Sequence, residues 1–369
     1  MSGYPRFSDA EMARRHDAVY TVMAEYDVDH LLVYGANRFG LGIGWLTRWP
    51  VTREAYVLVS PGERDVLWVD FFNHVPNAVR IATEADVRPL EARGVEHPLC
   101  ELRARGARRV GVMGPLPWRA AARLAEAREL VSLDGEFTRL RLVKSGEELD
   151  WLRIGCELTD AAVRAVLEGA APGVDERQLG ALAEGAYLGR GGTTHVHYFA
   201  CGAGVAAPAQ WPSDHALRVG DLLTFEISAA WWDHPGQVLR SVAVAGEPSP
   251  LVGELHDVAD AAFDAVSGAL RAGASAADLV AAARVIADAG FTIRDDLAHG
   301  FVGGYLPPVL RLAEPPEFVF EAGMTVVVQP NVVTVDERAG VQTGELLLVT
   351  QTGTERLHGV DRGLLRAGV

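Results

Sequence analysis

The chain has 369 residues, 49% of them hydrophobic, and a formal net charge of −15. That length holds two domains with a sizeable core, while the acidic balance argues against nucleic acid or an anionic membrane as partner. No apolar run reaches the ~18–20 residues needed to span a bilayer, and residues 1–17 carry no apolar stretch of a secretory signal.

In chain order, Met12, His16, Val19, Tyr20 and Met23 recur at helical spacing between Ser8 and Tyr26, with Ser8 and Glu11 set for a capping box. Asp29 to Tyr34 reads as a buried strand, and Asn37 to Trp49 as a glycine-rich loop with aromatics. Two strands, Glu54–Ser60 and Asp65–Asp70, flank the turn Pro61-Gly62-Glu63-Arg64. Strands and helices then alternate to Leu133, the pattern of an α/β domain. Leu140 to Arg153 is the joint, where Ser145 caps a long helix and Glu148 closes the box. The boundaries are therefore 1–142 and 143–369.

In the second domain Asp175 caps a helix, and Thr193 to Cys201 alternates like a strand. Gly220 to Ser241 reads as a buried hairpin carrying Glu226 and Gln237 eleven residues apart. His256 to Gly290 is an alanine-rich helical pair broken at Gly273-Ala274-Ser275, followed by strands at Thr325–Gln329 and Glu345–Thr350. Cys100, Cys156 and Cys201 show no metal or disulfide spacing, which fits a reducing cytoplasm.

The hairpin phrases GDLLTFEIS and GQVLRS, the joint RLVKSGEE, and the phrases AHGFVGG, GMTVVVQPN and GVQTGELLLVT together resemble the creatinase/aminopeptidase P/prolidase-like (pita-bread) family. The resemblance covers nearly the whole chain. It implies an α+β protein, with a creatinase-like α/β N-terminal domain followed by a pita-bread catalytic-type domain. It also implies two divalent ions held by two Asp, one His and two Glu. In this sequence those five positions hold Glu226, Gln237, His299, Gln329 and Gly344. Glu345 stands one residue beyond the last, and a one-residue slip in a strand turns a side chain to the other face. A further family histidine, before a phrase resembling xxPTDR, falls on Ala209.

Hard cations need oxygen-rich anionic shells, so this set implies no bound metal and no cofactor. The replacements keep polar hydrogen-bonding groups, which points to a repurposed pocket. The expectation is a metal-independent enzyme acting on a small polar molecule, with C–N bond hydrolysis leading. Lyase, cyclase or isomerase chemistry and a non-catalytic ligand-binding protein stand as alternatives.

Glu226 and His299 are the candidate acid/base pair. Gln237, Gln329 and Arg240 are candidates for orienting substrate. His197 lies on a strand that runs along the family's pocket, with His195 a lesser candidate. Trp231 and Trp232 in the hairpin turn, and Tyr305, are candidate wall residues. Family habit implies a homodimer in which Arg48 and Trp49, with Trp45, approach the partner's pocket.

Overall fold

The computed structural model describes residues 4–37, 40–91, 94–205 and 210–368. The chain divides into two compact units, Met1–Arg141 and Leu142–Val369. Among the described residues no helix is long and apolar enough to cross a membrane.

The first unit contains strands β1 (His30–Ala36), β2 (Glu54–Val59), β3 (Val66–Val69), β4 (Asp86–Pro89), β5 (Arg109–Met113) and β6 (Glu129–Ser132). They form one mixed sheet in the order β4-β3-β2-β1-β5-β6. The run Leu31-Leu32-Val33 makes β1 the buried centre of this sheet. Its helices are α1 (Asp9–Glu25), α2 (Leu41–Thr47), α3 (Val75–Ile81), α4 (Glu96–Ala104), α5 (Trp118–Ala125) and α6 (Asp134–Leu140). Ser8 caps α1 by accepting from the Glu11 amide, while the Glu11 carboxylate binds Arg14 and Arg15. The expected loop after Asn37 contains α2; residues 38 and 39 of that loop lie outside the described residues. Gly114 sits at φ 94° because a Cβ there would stand 2.1 Å from the Tyr34 carbonyl oxygen.

The second unit opens with helices α7 (Gly146–Gly169) and α8 (Glu176–Leu188), each started by a complete capping box, Ser145 with Glu148 and Asp175 with Gln178. Strands β7 (Thr193–Gly202), β8 (Leu222–Trp231), β9 (His234–Pro235) and β10 (Val238–Val244) follow. Helices α9 (Pro250–Ala269), α10 (Ala276–Ala282) and α11 (Arg284–Asp288) come next. The remaining strands are β11 (Thr292–Ile293), β12 (Ala298–Phe301), β13 (Tyr305–Leu310), β14 (Thr325–Val328), β15 (Val332–Val333), β16 (Gly344–Val349), β17 (Thr354–Arg356) and β18 (Leu365–Ala367). The main sheet runs β13-β12-β14-β16-β10-β8-β7, with β9, β17 and β18 attached to it.

Two apolar cores cover the sheet. Phe225, Ile227, Val238 and Val242 pack with Val163, Val166, Leu179 and Ala183 of α7 and α8. Val326, Val328, Leu347 and Val349 pack with Leu255, Ala259, Phe263 and Leu279 of α9 and α10. Small residues let α7 lie directly on the hairpin: a Cβ on Gly155 would stand 2.1 Å from the His234 carbonyl oxygen, and one on Gly236 would stand 2.8 Å from Cys156 Cα. The Thr159 hydroxyl then binds both backbone groups of Ala229. These contacts fix the turn immediately before Gln237.

Candidate functional site

Strand pairing decides which side chains meet. Glu226 on β8 lies opposite Leu239 on β10, so Gln237, two residues earlier, shares its face. Leu239 pairs with Gly344 on β16, and Val328 on β14 pairs with Glu345, which sets Gln329 beside Gly344. Next to β14 runs β12, which carries His299, and then β13, which carries Tyr305. Six consecutive strands of the sheet, from β8 to β13, thus bring Glu226, Gln237, Gln329, His299 and Tyr305 to one site.

Gln237 Nε2 donates to Glu226 Oε1 at 2.8 Å. The Gln237 backbone N–H is held by His358 Nε2 at 3.3 Å, and His358 Nδ1 lies 2.7 Å from Asp160 Oδ1. Gln329 Nε2 donates to Asp296 Oδ1 at 3.2 Å. His299 Nδ1 faces the Gly300 carbonyl at 3.1 Å, which makes Nδ1 the protonated nitrogen. Its Nε2 has no well-formed hydrogen bond; Gln329 lies beside it and Asp296 Oδ2 stands 3.9 Å away. Tyr305 stacks on the His299 ring at 3.8 Å and covers it, while Phe301 meets the ring edge-on. His299 and Gln329 are fully buried.

Burial raises the Glu226 carboxyl to about 7, with the nearby Asp295 charge adding to the effect. Asp296 is raised too, first by burial and then by Asp295, with which it shares a hydrogen bond. Burial lowers His299 to about 4, so its imidazole is neutral near neutral pH. The Tyr305 phenol is raised by burial and by the surrounding carboxyls. Gln237 Oε1, Gln329 Oε1, Asp296 Oδ2 and both side-chain atoms of Asn331 are buried without partners. Such a convergence of unsatisfied polar atoms fits a site that receives a polar ligand or ordered water.

The divalent ions implied by the fold do not fit these side chains as a pair. Among the described residues, Glu226, Asp296 and His299 do not bring three donor atoms within 4.8 Å of one another. The Gln237 –NH₂ already occupies one oxygen of Glu226. A Cβ on Gly344 would fall 2.8 Å from Gln329 Cβ, so a carboxylate there needs the backbone to move. Glu345 faces away; it forms a fully buried ion pair with Arg240 and is also bound by the exposed Arg356.

Several candidates stand elsewhere. Arg240 is fully buried, donates to the Gly344 and Asp361 carbonyls and pairs with Glu345; it is structural and does not reach Glu226. His197 pairs in register with Ile227, on the face away from Glu226, and lies 3.7 Å from Glu184 of α8. A bulge between Thr194 and Val196 turns His195 instead toward the site, where it stacks on Phe301. Trp231 ends β8 and packs into the α7–α8 core against Gly191, on the face away from Glu226, and Trp232 follows it in the turn at φ 54°. Arg48 binds Thr83 and Glu84, and Trp49 and Trp45 are buried in the first unit, so none is presented to a ligand or partner. Ala209 lies outside the described residues.

Residue reading missed Asp295, Asp296, Asn331 and Tyr198. Tyr198 lies directly opposite Glu226 and meets Trp211 edge-on at 5.4 Å. The adjacent aspartates, four and three residues before His299 at the entrance to a buried strand, were the available signal.

Residues 150–351 match metallopeptidase family M24. The chain belongs to that family, and its fold is the pita-bread arrangement with a creatinase-like N-terminal domain. It is 26% identical over 270 residues to a Xaa-Pro dipeptidase of Pyrococcus horikoshii, covering 70% of this chain and 76% of the relative. A Xaa-Pro dipeptidase from Bacillus anthracis superposes with a TM-score of 0.84 at 22% identity, covering 96% and 99% of the two chains. Dipeptidase PepE from Mycobacterium ulcerans gives 0.83 at 23% identity, covering 99% and 100%. These relatives overturn the expectation of a metal-independent enzyme for small polar molecules, together with its lyase and binding-protein alternatives: the family is one of metallopeptidases, and the relatives are dipeptidases.

Proposed function

We propose that this chain hydrolyses the C–N bond of a short peptide, with Xaa-Pro dipeptides the first substrates to test, and that it is not a conventional two-ion metallopeptidase. The observation that carries this reading is the cluster of Glu226, Asp296, His299, Gln237 and Gln329 on a dipeptidase-like sheet. A carboxyl near 7 is partly ionised at neutral pH, so Glu226 suits a base that takes a proton from water. Asp296, raised beside it, suits an acid that protonates the departing nitrogen. His299, neutral and held by Gly300, suits an acceptor at Nε2. The free oxygens of Gln237 and Gln329 suit substrate N–H groups. A panel of dipeptides with and without C-terminal proline, assayed with chelator and with added Mn²⁺ or Co²⁺, tests the reading.

The same reading includes association as a homodimer, supported by apolar residues exposed on the first unit, among them Phe72 at 84% and Trp118 at 82%. Sedimentation showing only monomer at micromolar concentration opposes it. It also includes a cytoplasmic setting, supported by the free Cys100, Cys156 and Cys201.

A further inference from the structure

Cys201 is the penultimate residue of β7, Asp221 immediately precedes β8, and His215 lies in the segment between them. One donor atom from each side chain falls within 4.8 Å of the other two. Thiol, imidazole and carboxylate are the donor types of a Zn²⁺ site, and they suit Ca²⁺ or Mg²⁺ poorly. Tetrahedral zinc sets its donors about 3.3–3.8 Å apart, so small side-chain rotations close the set.

The backbone holding these donors is already fixed. Glu176, at the start of α8, accepts from the Cys201 N–H at 3.0 Å and from the Ser213 N–H and hydroxyl at 2.8 Å. The Ser213 hydroxyl accepts from the His215 N–H, and the His215 carbonyl accepts from the Glu176 N–H. Asp221 Oδ2 accepts from the Arg218 N–H at 2.9 Å, leaving capacity on the carboxylate. This outer layer orients donors as supporting groups do in metal sites. His215 is exposed, so an ion can enter from solvent.

We propose that Cys201, His215 and Asp221 bind one Zn²⁺, which clamps the segment leading into β8 against the end of β7. The bound ion displaces the thiol proton to solvent and leaves a fourth position for water. The thiol proton is otherwise strongly retained, because burial and the Glu176 and Asp221 carboxylates disfavour the thiolate. Asp221 stands immediately before β8, five residues and about 16 Å of extended chain ahead of Glu226, so the clamp anchors the start of the strand that carries Glu226.

Chelator-treated full-length protein titrated with Co²⁺ tests this directly. The expected result is a thiolate-to-cobalt charge-transfer band saturating at one equivalent and bleached by Zn²⁺. Cys201→Ser removes the band. His215→Ala, a change at an exposed side chain, weakens binding beyond the roughly ten- to hundredfold typical of outer partners. The band persists in Cys100→Ser and in Glu226→Gln, which separates this site from the exposed Cys100 thiol and from the Glu226 cluster. Zn²⁺ also raises the Tm of wild type and not of Cys201→Ser. No thiolate band in the wild-type protein, or a band that survives Cys201→Ser or is unaffected by His215→Ala, overturns the proposal.

Discussion

The side-chain amide of Gln237 donates to Glu226 Oε1 at 2.8 Å across the β8–β10 hairpin. Two side chains eleven residues apart in sequence are brought together by strand register, and an amide nitrogen stands on the carboxyl where a second acid would repel it. The hydrogen bond favours the charged form of Glu226, yet burial outweighs it and the carboxyl remains raised to about 7.

That balance makes a prediction about stability. Glu226 has a folded pKa above its unfolded value, so its contribution is fully present below the unfolded value. It is lost as pH rises through about 7. Glu226→Gln has no such loss. In chelator, its Tm relative to wild type should climb between pH 5 and pH 9, by an amount worth at most about 3 kcal/mol. Parallel Tm curves would show that Glu226 titrates as an ordinary surface acid.

The buried pair beneath the sheet behaves oppositely. Burial alone would raise Glu345, but the Arg356 and Arg240 guanidinium groups outweigh it and hold the carboxyl below its usual value. Its stabilisation is present above the unfolded carboxylate pKa and is lost as pH falls through the lowered folded value. Glu345→Gln leaves Arg240 buried without its counter-charge and should cost about 3–5 kcal/mol. Denaturant unfolding at pH 7 measures this; a cost below about 1 kcal/mol would mean that the pair is solvated.

Gly155 predicts a mechanical effect. A Cβ there meets the His234 carbonyl oxygen at 2.1 Å, so Gly155→Ala must lift α7 from the turn before Gln237. The expected loss is about 1–3 kcal/mol. Peptide turnover should fall with it, because the Gln237 backbone is anchored through His358 beside the same turn. Unchanged stability would show that the helix moves freely on the hairpin.

Gln329 should act on binding. Its amide holds Asp296 and its oxygen is free. Gln329→Ala should raise KM for a cleaved dipeptide by several-fold, corresponding to one hydrogen bond of about 0.5–1.5 kcal/mol. A fall confined to kcat would instead make its hold on Asp296 the larger contribution.

The fold was legible because its signals are local and mutually consistent. Capping residues at Ser145 and Asp175 start α7 and α8, apolar runs mark β1 and β14, and β8 alternates apolar Leu223, Phe225 and Ile227 with polar Thr224, Glu226 and Ser228. The grouping of Glu226, Gln237, His299 and Gln329 followed from phrases kept in frame around each residue. Side-chain direction was less accessible. Alternation puts His195 and His197 on one face, but a bulge between Thr194 and Val196 separates them. Arg240 looked available until pairing with Glu345 on a neighbouring strand, 105 positions away, accounted for it. Asp296 enters the site because Gln329, 33 positions on, reaches it; the aspartate pair before His299 marks a polar entrance to the strand but does not show that contact. The aromatic loop around Trp49 looked like a binding surface and is instead core, since α2 folds it inward.

The most direct test compares wild type and Glu226→Gln on a panel of Xaa-Pro dipeptides, by release of free proline at pH 7, with chelator and with added Mn²⁺ or Co²⁺. General acid–base participation is typically worth ~10²–10⁴ in rate. The account predicts that wild type cleaves at least one dipeptide and that Glu226→Gln lowers kcat by that order with little change in KM. Equal turnover by the two proteins, or no cleavage of any dipeptide by wild type under any of these conditions, would contradict it.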